Sequence, residues 1–363
     1  MIRSEDRETG ACPDAPVRKG PGLYWREKRW HSLDYEMKKR YGKKVYKLSL
    51  QSGCTCPNRD GKLGTGGCIF CSEGGSGDFA APAALSVSAQ IRAAKARIAA
   101  KVPENAGYIA YFQSFTNTYG PTERLQKLYE AAAEEPDILE LSIATRPDCL
   151  PQEMIEMLTG LGRKKPVRLE LGLQTIHEKS AIFIRRGYAL PVFEDAVRRL
   201  SRAGIPVTVH LIVGLPGESR EEITASVRYL ADLCRREGCI DGVKLQLLHV
   251  LRGTELGRMY LADRKKDALA AAAENAGKTT HRGFFWNDYS LEEYVELVID
   301  LIELLPPELV VHRITGDAPK RLLLSPLWSA DKKRVLNTFE KRFRERNTWQ
   351  GRRFGEMEAP HQK

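Results

Sequence analysis

The sequence predicts an α/β protein: a partly closed (βα)6 barrel followed by a C-terminal α/β extension, with basic stretches towards both termini. Three observations carry that reading. Six short apolar runs alternate with amphipathic stretches, the pattern of parallel strands joined by helices. The runs are nearly continuous in apolar residues, as strands buried on both faces are. Every chemically suggestive stretch falls directly after one of the runs, and in such barrels the site lies at the C-terminal strand ends.

The six runs are VYKLSL (45–50), GYIAYF (107–112), LELSIA (139–144), VRLELGL (167–173), VTVHLIVGL (207–215) and GVKLQLLHV (242–250). Helix-like segments separate them at 86–102, 122–135, 151–162, 190–204 and 220–238. Phe193, Val197 and Leu200 form a clear helical stripe in the fourth of these. The loops after the runs hold, in order, a cysteine-rich stretch, QSFTNTY, TRPDCLP, QTIHEKSAIFIRRGY, PGE and LRGTEL. The expected organisation is a flexible basic lead-in (1–30), the barrel (31–260), an extension packed on the barrel (261–330) and a basic C-terminal tail (331–363).

The chain has 363 residues, of which 42% are hydrophobic and 29% charged, enough to bury a sizeable core. No apolar run reaches the roughly 18–20 residues of a membrane span. The nearest, VELVIDLIELL (295–305), carries Glu296, Asp300 and Glu303. The N-terminal MIRSEDRETGACPD has no apolar h-region, so a cytoplasmic address is expected rather than secretion. In that reducing setting clustered thiols read as metal or redox chemistry.

The net charge of +10 is concentrated in two stretches, 18–47 and 331–354, in which Trp, Tyr and Phe are interleaved with Lys and Arg. A solvated surface suits one such run. Two of them favour a polyanion, with RNA the natural partner for aromatic stacking on unpaired bases.

Cys54, Cys56, Cys68 and Cys71 lie together in CTCPNRDGKLGTGGCIFC. Two close pairs a dozen residues apart suit a zinc knuckle. A thioredoxin-like CxxC would leave Cys54 and Cys56 without a role. An iron–sulfur cluster bound by three thiolates is the third reading, and Gly61, Gly64, Gly66 and Gly67 allow the sharp backbone it needs. The loop alone leaves these open. The other cysteines, Cys12, Cys149, Cys234 and Cys239, are scattered.

CPNRDGKLGTGGCIFC at a strand end, with YFQSFTNTY, LSIATRPDCLP, LELGLQTIHEKS, IRRGY, VTVHLIVGLPGE, LQLLHVLRGTEL, RITGDAPKRLLLSPLW and NTWQGRR in order, resembles a bacterial branch of the radical-SAM superfamily. That branch is akin to the radical-SAM part of the elongator catalytic subunit without its acetyltransferase domain. The resemblance covers most of residues 30–353 and implies a TIM-like radical-SAM barrel holding a [4Fe–4S] cluster and S-adenosylmethionine. It implies Cys56, Cys68 and Cys71 as cluster ligands, with Cys54 a neighbour. For S-adenosylmethionine it implies Gln113 at the amine, with Thr116 and Asn117 beside it. Glu170, Gly172 and Gln174, alternating on one strand face, would serve ribose and carboxylate. Arg186 would meet the methionine carboxylate, with Arg185 a solvated charge. Gly214 and Gly217 with Leu215 would line the adenine. His177 reads as structural.

On the substrate side the candidates are Arg146, Asp148, Gln246, His249, Arg313 and Asp317; Arg146–Asp148 equally reads as a structural pair, His249 as a core histidine, and Trp328 as core packing. With the basic flanks, the resemblance implies a tRNA substrate: the C5 side chain of a wobble uridine, shortened from carboxymethylaminomethyl to aminomethyl. It also implies an electron donor such as flavodoxin or ferredoxin. The alternatives are a radical enzyme on a small metabolite, and a zinc-stapled RNA-binding protein without catalysis.

Overall fold

A computed structural model describes residues 17–19, 22–75, 77–274 and 286–355. Cys12 and much of the expected lead-in fall outside them. All six runs are strands: β1 (Val45–Leu50), β2 (Gly107–Phe112), β3 (Ile138–Thr145), β4 (Val167–Gln174), β5 (Val207–Val213) and β6 (Gly242–Leu247). A seventh, β7 (Val310–Arg313), was not anticipated; it is only four residues long and ends in His312–Arg313. It comes from the expected extension and pairs with β6, so the extension completes the sheet rather than only covering it. Every pairing is parallel and the order is β1-β2-β3-β4-β5-β6-β7. Strands added in chain order curl one way, because each right-handed crossover lays its helix on the same face. The result is a half-barrel.

The connecting helices are α1 (Leu33–Tyr41), α2 (Val87–Ile98), α3 (Thr122–Glu134), α4 (Gln152–Gly162), α5 (Glu178–Phe183), α6 (Leu190–Arg202), α7 (Arg220–Glu237), α8 (Glu255–Glu274), α9 (Leu291–Glu303) and α10 (Lys332–Glu345). Capping boxes at Ser219/Glu222 and Ser290/Glu293 start α7 and α9 sharply. Leu141, Ile143, Leu169, Leu171, Val209, Leu211, Val243 and Leu245 point from the strands into the main core under the helices.

Two expectations are corrected. The strands are not apolar on both faces. Between the core residues stand Lys47, Tyr111, Ser142, Arg168, Glu170, His210 and Lys244, all on the concave side, where no helix layer lies. The basic stretch at 331–354 is also no tail. Val335, Phe339 and Phe343 form an apolar stripe that seats α10 on the core with α9. Trp30 stacks on Phe343 with ring centres 5.2 Å apart, and Gln350 N–H donates to Arg29 O at 2.9 Å. The two basic stretches, three hundred residues apart in the chain, are therefore neighbours. No helix among the described residues is long and apolar enough to cross a membrane.

Candidate functional site

The cysteine loop folds over the C-terminal end of β1. Cys56 O accepts from Arg59 N–H, and Gly67 N–H donates to Asn58 O at 2.7 Å. Gly67 has φ 72°, and a Cβ there would sit 2.8 Å from Arg59 Nε, so conformation and space both demand glycine. The Arg59 guanidinium clamps the Cys68–Cys71 turn through the carbonyls of Cys71 and Ser72. Asn58 Nδ2 donates to Arg185 O at 2.7 Å and reaches Cys68 Sγ at 3.5 Å, tying the loop to the turn after α5.

Cys56, Cys68 and Cys71 are half-buried. Burial pushes the Cys68 thiol up to about 12, and the neighbouring Cys71 and Cys56 push the same way. Such a set wants a cation. Cys54 is not part of it: buried in the main core, its Sγ accepts from Arg124 Nη2 at 3.1 Å. Among the described residues no three His, Cys, Asp or Glu side chains converge as one metal ion requires. A four-thiol zinc knuckle does not fit this geometry. The chemistry of the donor set, three half-buried thiols on one glycine-rich loop with Asn58 N–H beside a sulfur, fits a cluster that takes each thiolate on a different iron.

Of the residues expected at S-adenosylmethionine, the structure leaves some with free polar groups and occupies others. Gln113 is half-buried with no side-chain bond, while Ser114 Oγ and Thr116 Oγ1 are buried without partners. Asn117 is corrected. Its Oδ1 accepts from Ser52 and its amide donates to Phe112 O and Ala144 O, so it staples β2 to β3 and has nothing to offer a ligand. Ser114, whose buried hydroxyl is left without a partner nearby in the chain, had no sequence signal beyond its position.

Glu170 is corrected likewise. Fully buried on β4, it accepts from Lys47 (2.7 Å), Ser142 (2.7 Å), His210 (2.8 Å) and Lys244, which fills the four lone-pair positions of a carboxylate. It centres a buried ion network rather than meeting a ribose. Burial pushes its carboxyl up, but Lys244 and Lys47 outweigh that and hold it well below the usual range. Lys244 also donates to Tyr111 OH at 2.9 Å, and both lysines lie over the Tyr111 ring. The lysines, His210 and Tyr111 were missed; the signal was a charged or polar residue at alternate positions of VYKLSL, LELSIA, VRLELGL, VTVHLIV and GVKLQL.

Gln174, at φ 68°, folds its amide over Gly172, where a Cβ would lie 2.7 Å from Nε2. Arg186 is 2% exposed and gives three of its N–H groups to the carbonyls of Leu173, Thr175 and Tyr188. Its Nη2 is left without a hydrogen-bond partner, 3.8 Å from Glu178. Arg185 is exposed, as expected of a solvated charge, and also grips Glu255 of α8 through two 2.6 Å bonds. Gly214, at φ 93°, lies against Tyr289. Leu215 is fully buried in a second apolar cluster with Ile69, Ile184, Ile212 and Leu248, against which Phe70 and Trp286 pack.

Arg146 and Asp148 form a bidentate pair (2.9 and 2.8 Å), and Arg146 also donates to Arg186 O. His177 binds Glu222 O at 2.8 Å and Trp328 donates to Tyr289 O, so both are structural.

Comparison with known proteins places this geometry. The profile of the Radical SAM superfamily matches residues 56–230, and that of the Radical_SAM C-terminal domain matches 283–345. YtqA of Bacillus subtilis is 39% identical over 332 residues, covering 92% of this chain and 95% of its own. YhcC of Escherichia coli is 34% identical over 294 residues, covering 81% and 85%. The structure of the archaeal Methanocaldococcus infernus Elp3 with an N-terminal deletion superposes with a TM-score of 0.57 at 19% identity. That match covers 84% of this chain and 64% of the Elp3 chain, and it supports the fold alone.

Proposed function

The chain belongs to the radical SAM superfamily, and we propose that it directs its radical chemistry at tRNA, shortening a wobble-uridine C5 side chain from carboxymethylaminomethyl to aminomethyl. As in the family, it is a radical S-adenosylmethionine enzyme whose cofactors are a [4Fe–4S] cluster and S-adenosylmethionine. Together, when bound, these supply a one-electron cleavage that yields a 5′-deoxyadenosyl radical.

The chain's own residues prepare that chemistry. Cys56, Cys68 and Cys71 would hold the cluster, with Asn58 and Arg59 fixing the loop. Gln113 and the free hydroxyls of Ser114 and Thr116 would accept the methionine ammonium. Arg186 Nη2 is a buried donor for its carboxylate. Gln174 would turn to the ribose, and the cluster around Leu215 with Gly214 would bed the adenine and exclude water.

The observation that carries the tRNA reading is the meeting of the two basic stretches. Arg29 lies over Tyr24 and Arg352 over Trp349, both rings partly exposed, while Lys333, Arg334 and Arg344 line the exposed side of α10. Cations beside aromatic rings suit a phosphate backbone with splayed bases. Removing a hydrogen atom from the carbon between the amine and the carboxylate of the side chain, with the second electron returned to the cluster, would leave an iminium whose C–N bond water splits into the aminomethyl amine and glyoxylate. A small protein of the flavodoxin or ferredoxin kind would deliver the electron.

Nucleosides from tRNA of cells lacking the protein should show the carboxymethylaminomethyl form accumulating at the expense of aminomethyl. An unchanged set of wobble uridines would end this reading. A small carboxylate metabolite is the second reading. It is favoured by the polar groups on the β6–β7 side, which lie within the mouth rather than out on the basic surface.

A further inference from the structure

The groups expected to hold S-adenosylmethionine sit on β2 to β5. The opposite side of the mouth, after β6 and β7, carries a separate set that the cofactor does not need. Thr315 is 3% exposed and its Oγ1 has no partner; His249 Nε2 is likewise buried without one. Gly316 lets them approach: a Cβ there would fall 2.4 Å from the His249 ring, with the Leu247 carbonyl 3.1 Å away on the backbone. Arg313, two residues before Thr315, is close enough for its charge to act on His249.

The charges here do not balance. Asp317 is shared by Arg313 (3.1 Å) and Lys332 (2.8 Å), two cations for one carboxylate. Deeper in the lumen Glu170 is likewise shared by Lys47 and Lys244. Orphaned buried polar atoms are costly unless a ligand or a water completes them, and the part-exposed Arg313 and Lys332 leave a net positive charge beside them. Burial pushes the His249 imidazole down to about 4, so near neutrality it is an uncharged ring able to donate one N–H.

We infer that His249, Thr315 and Arg313 form a subsite for a carboxylate on the substrate, which sets that group opposite the S-adenosylmethionine side of the mouth. The guanidinium offers the charge and a planar fork, and Thr315 Oγ1 and His249 Nε2 offer the remaining donors. Asp317, across from Arg313, keeps the fork oriented without neutralising it, because Lys332 draws on the same carboxylate. The inference rests on the radical-site reading and not on the substrate being tRNA.

N-methylglycine, an amine-bearing carboxylate, and N-methylglycinamide, its neutral counterpart, are the probes. Binding is measured by saturation-transfer NMR on full-length, anaerobically reconstituted protein. The carboxylate should bind and the amide should not compete with it. Arg313→Ala should weaken binding about 10- to 100-fold and Thr315→Val about 3- to 10-fold. Arg313→Lys, which keeps the charge and loses the fork, should fall between wild type and Arg313→Ala. Arg228→Ala, an exposed cation of α7, should bind as wild type does.

Equal binding of the amide, absence of carboxylate binding, or full affinity in both Arg313→Lys and Thr315→Val would overturn the subsite, even should Arg313→Ala fail to fold. Carboxylate binding with the expected residue dependence, alongside unchanged wobble uridines in deleted cells, would keep the subsite and discard tRNA. Lost aminomethyluridine with a probe indifferent to Arg313 and Thr315 would do the reverse.

Discussion

Glu170 and Leu171 are consecutive residues of β4, and both are completely buried. Leu171 points outward beneath the helices, among Leu169, Leu173 and the rest of the main core. Glu170 points inward to two lysines, a histidine and a serine. Equal burial thus has opposite energetic meaning on the two faces. The outer face gains free energy with every apolar square ångström withdrawn from water. The inner face gives some of it up, because desolvating charges costs about as much as their pairing returns. A buried ionic lining is a poor way to make a stable barrel and a good way to make a cavity that handles charged groups.

The largest effect expected on the inner side is a loss of function with little loss of fold. Cys68→Ala should remove the iron and all production of 5′-deoxyadenosine under dithionite. The metal-free protein should melt within a few degrees of metal-free wild type, since the thiol is half-buried in a loop. Iron retained in full would remove Cys68 from the ligands.

Glu170→Ala should destabilise by about 3–5 kcal/mol, because it strands the buried Lys244 and deprives the half-buried Lys47 of its partner. Leu171→Ala on the outer face should cost about 2–5 kcal/mol through lost burial and a cavity. The two resemble each other in size but differ in cause, and a further change separates them. Adding Lys244→Met to Glu170→Leu should recover much of the stability of the inner face, since apolar groups of similar volume replace ions well. No partner substitution at a neighbouring site can do that for Leu171→Ala short of refilling the volume. Chemical denaturation of the set measures all three; a double variant no more stable than Glu170→Ala would show that the network itself holds the barrel together.

Acid separates the faces again. Burial holds the His210 imidazole down to about 4 in the folded chain, against 6.5 when unfolded. Between those values the unfolded chain takes up a proton that the folded one refuses, so stability falls as the pH drops through that window, by about 3 kcal/mol. Glu170, held below its ordinary range by the lysines, adds a loss of the same sign at lower pH. His210→Asn should flatten the dependence between 4 and 6.5, and Leu171→Ala should shift the whole curve without changing its slope. A slope unaltered in His210→Asn would place the acid sensitivity elsewhere.

The outer face was the more legible in sequence. Six strands and five of the helices between them followed from apolar runs and amphipathic stretches, mostly to within two residues. β7 escaped because four residues ending in His312–Arg313 carry no periodic signal and depend on β6 for their conformation. On the inner side the sequence offered only motifs, those around Cys56, Cys68, Cys71 and Arg186, and no periodic signal. Asn117 and Glu170 had the right chemistry for a ligand, but whether an amide or carboxylate is free depends on partners brought by other strands, which a local motif does not record. The pairing of Arg29 with the 347–350 segment was invisible for the same reason.

The smallest effect on stability is expected outside both faces, on α10. Lys333, Arg334 and Arg344 are exposed, so replacing all three with Ala should change unfolding free energy by no more than about 0.5 kcal/mol at each site. If this surface follows an RNA backbone, the same triple variant should bind unmodified tRNA more weakly, and the slope of log affinity against log salt should become shallower by about 2–3. It should do so without changing the binding of N-methylglycine in the mouth. Weakened tRNA binding with an unchanged salt slope would mean that these cations shape the surface without touching phosphate, and full affinity would move the RNA contact off α10. Either result would take α10 out of the phosphate contact and leave the 18–47 stretch and Arg352 as the cations still to test.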